Sequence, residues 1–113
     1  MKSKKLVGRT EIQMRMNREF FDRIEEARSK EAGDGVPRAR AAWIRDIVLE
    51  FLRSGEELPA AKIVPGGERI MTKAALDGET LDLIRDKCEE AGANHVSTYV
   101  RRCVAWHLER VNG

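Results

Sequence analysis

"EIQMRMNREFFDRI", residues 11–24, changes its hydrophobic period at Asn17. Up to Asn17 the apolar and polar residues alternate, which is typical of a strand with one buried face. From Arg18 onward the spacing of the apolar residues is that of a helix. The segment therefore predicts a strand that leads directly into a helix. The side chains expected to face a core are Ile12, Met14 and Met16 in the strand and Phe20, Phe21 and Ile24 in the helix.

The composition is typical of a small helical protein with solvated outer faces. The chain has 113 residues, of which 42% are hydrophobic and 35% are charged. This length suits one ordinary domain, or two small units that share a core. The formal net charge is only +2, so any affinity for nucleic acid must come from the placement of charge. Residues 1–8 form a basic arm with Lys2, Lys4 and Lys5, and Arg9 follows it.

The sequence indicates neither a membrane segment nor a metal or catalytic site. The arm lacks the apolar run of a signal peptide, and no later stretch approaches the ~20 apolar residues of a membrane span. Cys88 and Cys103 fall at apolar helix positions and form no zinc pattern with His95 or His107. No nucleophile is paired with a base, and there is no phosphate loop. We expect a cytoplasmic, non-enzymatic protein with free thiols, no cofactor and no membrane partner.

An internal repeat organises the chain. Residues 16–33 align with residues 76–92, and both segments close on Ala-Gly, a helix C-cap signal. A second helix is predicted after each, over 37–55 and 94–113, with Pro37 in the first turn of the former. The two helices share the apolar spacing i, i+1, i+4, i+5, i+8, i+9. The matched positions are Trp43 with Tyr99, Ile44 with Val100, Ile47 with Cys103, Val48 with Val104, Phe51 with His107, and Leu52 with Leu108.

A second strand is predicted over residues 69–76, with Ile70, Thr72, Ala74 and Leu76 facing inward. Residues 56–67 read as a linker between a first unit, 9–55, and a second unit, 68–113, which share one core. A lone strand would leave both of its edges unpaired, so the two strands are expected to pair antiparallel. The expected fold is mainly α with a two-stranded antiparallel β-ribbon and pseudo-twofold symmetry. In the expected register Gln13 lies opposite Lys73, Arg15 opposite Met71, and Glu11 opposite Ala75.

The strand-helix-helix pattern resembles the ribbon-helix-helix family of bacterial DNA-binding proteins over nearly all of residues 9–112. "EIQMRMN" followed by "REFFDRI" is similar to the ribbon and first helix of that family. "VSTYVRRCV" is similar to the signature of its second helix, with Ser97 and Arg101 at the hydroxyl and arginine positions. The first half keeps Arg45 but has Ala41 in place of the hydroxyl residue. Two units in one chain resemble the tandem members, which include accessory factors of conjugative plasmid transfer and VirC-type factors of T-DNA transfer.

The resemblance implies that the ribbon enters the major groove of double-stranded DNA, where outward side chains reach base edges. The Arg15 side chain can form two hydrogen bonds with one guanine, and the Gln13 side chain can form two with one adenine. The expected base contacts are Glu11, Gln13, Arg15, Met71 and Lys73. The same polar face would also suit a strand that is merely solvated, and Glu11 would also suit a role in repelling phosphates.

Phosphate contacts are expected at the N-termini of the second helices, where free amides and the helix dipole favour an anion. The arm and neighbouring arginines would add salt-dependent attraction. The expected phosphate contacts are Arg9, Arg38, Ala39, Arg40, Arg69, His95, Val96 and Ser97. A plain helix start is the alternative for Ser97, and a solvent-exposed cap is the alternative for His95. Trp43, Tyr99, Trp106 and His107 are expected in the core.

Two biological roles fit this resemblance. One is an accessory factor that helps a relaxase or another transfer-complex protein to process DNA. The other is a transcriptional repressor or an antitoxin, although the chain ends directly after its last helix and shows no toxin-binding tail. A protein-interaction module is the alternative outside DNA binding. The chain is expected to be a monomer that clusters on DNA.

Overall fold

The computed structural model describes residues 10–59, 69–91 and 95–112. The predicted arm, Arg9 and residues 60–67 of the predicted linker lie outside the described residues. Within the described part, strands and helices follow the predicted order. They are β1 (Thr10–Asn17), α1 (Arg18–Ala32), α2 (Arg40–Ser54), β2 (Arg69–Leu76), α3 (Gly78–Ala91) and α4 (Val96–Asn112).

β1 and β2 form a two-stranded antiparallel sheet, which we call the ribbon. Gln13 pairs with Lys73, Arg15 with Met71, and Glu11 with Ala75. The expected register is therefore confirmed. A slip of one residue would have turned the apolar side chains of either strand to solvent, so the burial of one face fixes this register.

The inner face of the ribbon closes one side of the core. Met14 is 1% exposed on β1, and on β2 its partner Thr72 and the next inward residue, Ala74, are also buried. Beneath the ribbon α2 and α4 pack against each other, and their shared apolar stripes form the centre of the core. Every predicted stripe residue of the two helices is buried except Leu52, which is half-buried. This confirms the helical spacing that the sequence indicated.

The change from strand to helix uses the same chemistry at both places where it occurs. The Asn17 side chain accepts a hydrogen bond from the Phe20 amide at 2.8 Å. The Asp77 side chain accepts one from the Thr80 amide at 2.7 Å. In each case a short polar side chain satisfies an amide that the first helical turn leaves free. At the other end of α1, the chain turns through Gly33, whose φ of 58° favours glycine.

The predicted start of the second helix was wrong. Pro37 does not lie in the first turn, because α2 begins at Arg40 with Ala39 as its N-cap. Arg28 donates to the Arg38 carbonyl oxygen from Nε at 3.1 Å and from Nη2 at 2.5 Å. These bonds occupy the carbonyl of Arg38 from outside the helix, and Ala39 has the extended ψ of 138°. The segment before α2 is therefore held against α1 rather than wound into a helical turn.

Among the described residues, no helix combines the length and the apolar character that crossing a membrane requires.

A disulfide would test the register of the ribbon. Because Arg15 and Met71 are direct partners, their Cα atoms should lie roughly 4.5–5.5 Å apart, within disulfide reach. We expect an Arg15→Cys, Met71→Cys variant to form an intramolecular crosslink, read by mass spectrometry after mild oxidation. Native Cys88 and Cys103 are buried and should stay reduced.

The matched control is Arg15→Cys, Ala75→Cys, which puts the second thiol on the same face but opposite Glu11. Crosslinking of the control in preference to the Arg15–Met71 pair would contradict the register.

Candidate nucleic-acid interface

The outer face of the ribbon carries the five residues expected to contact bases. Glu11, Gln13 and Arg15 are exposed on β1, and Met71 and Lys73 are exposed on β2. Met71 is 46% exposed, which is high for a large apolar side chain. The register brings all five together on one solvent-facing surface. Whether they touch DNA stays a prediction.

Charge is distributed unevenly along this face. Lys73 Nζ, near the middle of the ribbon, lies 3.4 Å from Oε1 of Glu11, which is closer to one end, and both side chains are more than half exposed. Near the other end, no carboxylate of the described residues forms an ion pair with Arg15 or Arg69. Within the part of the chain that the structure describes, the ribbon therefore carries guanidinium groups without a carboxylate partner towards one end and an ion pair on the side of the other end.

Arg101 fastens α4 to the ribbon directly behind Arg15. Its Nη1 donates to the Arg15 carbonyl oxygen at 2.8 Å, and its Nη2 donates to Thr98 Oγ1 at 3.1 Å. Burial lowers the pKa of the Arg101 guanidinium, and the nearby positive charge of Arg69 lowers it further. The resemblance identified Arg101 as a signature residue of the second helix. Its contact with β1 could not be predicted, because Arg101 and Arg15 are 86 residues apart in the sequence.

At the N-terminus of α2, both predicted phosphate-binding arginines already have partners. Arg38 pairs with Asp46. Arg40 donates to Glu25 from Nη2 at 2.7 Å and from Nε at 3.2 Å, and its guanidinium lies 4.7 Å from the centre of the Phe21 ring. Ala39 caps the helix without a side-chain hydrogen bond, so the first-turn amides of α2 have no side-chain cap at that position.

The Glu25–Arg40 ion pair shifts the pKa of both groups. The hydrogen bond from Arg40 lowers the pKa of the Glu25 carboxyl, with Arg28 contributing a second bond at 2.6 Å. The same bond raises the pKa of the Arg40 guanidinium. Sequence reasoning missed Glu25. A phosphate at this helix start would have to share Arg40 with the carboxylate.

At the N-terminus of α4, the described side chains of His95, Val96 and Ser97 form no hydrogen bond or ion pair. The His95 carbonyl oxygen accepts from the Tyr99 amide at 3.1 Å, and the His95 side chain is exposed. Val96 and Ser97 are half-buried in the first turn. Arg69 is exposed at the start of β2. The predicted phosphate contacts therefore lie at two helix starts and one strand end, while Arg9 lies outside the described residues.

The aromatic and thiol groups belong to the core, as the sequence predicted. Trp43, Tyr99 and Trp106 are at most 5% exposed, so their rings are not available to stack on bases. His107 is buried, with Nε2 2.9 Å from Glu31 Oε2 and its ring edge-on to Trp43. Burial raises the pKa of the Cys103 thiol. Within the described ranges, no group of three or more histidine, cysteine or acidic side chains is placed to hold a metal ion.

No protein-family model, curated protein or solved structure matches this chain.

The Glu25–Arg40 pair predicts a specific dependence of stability on pH. Because the folded pKa of Glu25 lies below its ordinary value of 4.5, the ionised carboxylate stabilises the fold above that value. This contribution is lost as the pH falls through the lower, folded pKa. We expect Glu25→Gln to be less stable than the wild type at neutral pH, with the difference shrinking as the solution is acidified below 4.5. Urea unfolding at a series of pH values measures it.

The matched control is Glu26→Gln, which breaks the exposed Glu26–Lys30 pair of the same helix. An exposed pair of this kind contributes little to stability, so the control should follow the wild type. A Glu25→Gln curve parallel to the wild type at every pH would contradict the assignment.

Proposed function

We propose that this chain is a double-stranded DNA-binding protein that reads the major groove with its ribbon. The observation that carries the proposal is the strand register, which gathers Gln13, Arg15 and Lys73 on one exposed face. A two-stranded ribbon fits the major groove, which is roughly 12 Å wide. In that groove an arginine side chain can form two hydrogen bonds with guanine, and a glutamine side chain can form two with adenine.

The proposal includes a tandem ribbon-helix-helix architecture with pseudo-twofold symmetry. The element order strand, helix, helix occurs twice. The polar caps Asn17 and Asp77 close the two strands in the same way. The two second helices bury matched positions, including Ile44 with Val100. These likenesses support the proposed repeat, whose axis would pass between Gln13 and Lys73, near the centre of the register.

On DNA, Arg15 would donate to guanine O6 and N7, Gln13 would grip adenine, and Met71 would contact a thymine methyl group. The starts of α2 and α4, with the arm, would hold the phosphates on either side of the groove. Arg69 stands beside Arg15 on the outer face and would reach the backbone. Arg101 would act indirectly, by fixing the backbone of the strand at Arg15.

The biological role that we propose follows the resemblance to tandem ribbon-helix-helix proteins. It is an accessory function in conjugative or T-DNA transfer in the bacterial cytoplasm, where the bound chain would assist a relaxase. Transcriptional repression, or an antitoxin-type role, is the alternative within DNA binding. One chain would bind as a monomer because its two halves complete each other, and several would cluster along a site.

Removing the three polar side chains of the ribbon should weaken DNA binding. We expect the wild type to bind a fluorescent random-sequence duplex in a salt-sensitive manner. A Gln13→Ala, Arg15→Ala, Lys73→Ala variant should bind roughly tenfold more weakly or worse, because the Arg15 charge and its counterion release are lost and the Glu11 carboxylate is left without its lysine. All three residues are exposed, so the fold should persist. Fluorescence anisotropy at two salt concentrations measures the effect.

The control variant Arg53→Ala, Arg85→Ala removes the same number of charges from exposed helix positions. It should bind nearly as the wild type does. Equal binding by the wild type and the ribbon variant would show that another surface holds DNA. Absence of binding by both would favour a protein-interaction module.

The unequal halves of the ribbon predict an asymmetric target. A symmetric dimer presents the same side chains twice and prefers a palindrome. Here Arg15 and Met71 would face one half-site and Glu11 and Ala75 the other, with Gln13 and Lys73 at the centre. Selection from a random duplex pool should return non-palindromic sites with a guanine in one half. Recovery of palindromes would contradict this prediction.

A further inference from the structure

The ion pair between Glu11, near one end of the ribbon, and Lys73, near its centre, is the feature that the proposed contacts leave unexplained. Lys73 has Gln13 as its direct partner and Ala75 stands opposite Glu11, so Lys73 and Glu11 are diagonal neighbours on the outer face. Diagonal neighbours in a ribbon are close enough for long side chains to meet. Here they do, with 3.4 Å between Nζ and Oε1.

This pair contributes little to folding, because both of its side chains are more than half exposed, at 55% and 58%. Its effect on a polyanion is larger. A free lysine attracts phosphate whatever the sequence, whereas a lysine bound to a carboxylate must give up that partner first. The carboxylate itself repels phosphate. The pair therefore suppresses attraction that carries no sequence information.

At the other end of the ribbon, the end that carries Arg15 and Arg69, the described residues provide no carboxylate of this kind. Among the described residues no carboxylate pairs with Arg15 or Arg69. The backbone at Arg15 is fixed by the Arg101 hydrogen bond of 2.8 Å. A guanidinium on a fixed backbone is well placed for a two-bond contact with guanine, which distinguishes one base from the others. The two ends therefore differ in what they can contribute to recognition.

We infer that Glu11 is a specificity-determining residue that restrains Lys73, so that discrimination comes mainly from the Arg15 end while non-specific affinity stays low. This inference rests on the proposed DNA binding. It assigns Glu11 a negative role towards DNA in general, and it makes the ratio of specific to non-specific affinity the quantity that Glu11 controls.

Glu11→Gln tests the inference. The substitution keeps the shape of the side chain and releases Lys73. Binding to a random-sequence duplex should become roughly eightfold tighter at 0.1 M salt, the gain from one added phosphate contact with a slope of about −0.9. The dependence of log K on log salt should steepen by about the same 0.9. Affinity for a selected site should rise less, so the ratio of the two affinities falls.

Two controls separate the restraint on Lys73 from a general change in charge. Glu26→Gln adds the same charge and releases Lys30 from a similar exposed pair, 3.5 Å long, on α1, and it should leave both affinities nearly unchanged. In a Lys73→Met background, Glu11→Gln should increase the affinity for random-sequence DNA much less, because there is no lysine for it to release.

Each outcome decides one of the two claims. If the wild type binds DNA but Glu11→Gln leaves the random-duplex affinity unchanged, the inference is overturned and the proposed function stands. If the full gain persists with Lys73→Met, Glu11 acts by repulsion alone and the restraint is again overturned. If neither the wild type nor Glu11→Gln binds any duplex, the proposed function falls and takes the inference with it.

Discussion

The pairing of β1 with β2 is the interaction on which the rest of the structure depends. Among the described residues each strand finds its backbone partners in the other, although helices α1 and α2 separate them in the chain. Either strand alone would leave a row of amides and carbonyls without partners. The pairing satisfies these groups along one edge of each strand and also fixes which side chains face inward. Once Met14 on β1 and Ala74 on β2 are buried, the polar residues that alternate with the buried ones along each strand must point to solvent.

The helices then follow from the need to cover one face of the ribbon. A ribbon of two strands cannot bury its own apolar side chains, so the stripes of α2 and α4 supply the missing surface. Polar contacts tie the layers together at a few places. Arg101 joins α4 to β1, and the Glu31 carboxylate of α1 meets Trp43 Nε1 at 3.2 Å and His107 Nε2 at 2.9 Å. The Arg101 and His107 contacts connect parts of the chain that are 86 and 76 residues apart.

Much of this arrangement was predictable because it follows from period and repetition. The change of period at Asn17 predicted the end of β1 and the start of α1. The alternation of polar and apolar residues predicted that Gln13 faces solvent and Met14 faces the core. The internal repeat proposed from the sequence predicted the second strand, whose own pattern is weakened by Thr72 and Ala74. Helix starts were harder, as Pro37 shows, because the Arg28 bonds to the Arg38 carbonyl depend on how α1 packs beside that segment.

Side-chain pairing was not predictable from period, and it changes the interpretation of the charged residues. The sequence did not indicate an ion-pair partner for Arg40, Lys73 or Arg15. In the structure Arg40 and Lys73 each form an ion pair with a carboxylate, while Arg15 forms none with the described residues. A chain with a formal net charge of +2 has little general attraction for DNA. If such a chain binds a polyanion, cations without a carboxylate partner, such as Arg15 among the described residues, would decide where it docks, and the carboxylates would decide which cations those are. If the ribbon reads DNA, its acidic residues therefore contribute to recognition as much as its basic ones, because they confine attraction to the end where base contacts can follow.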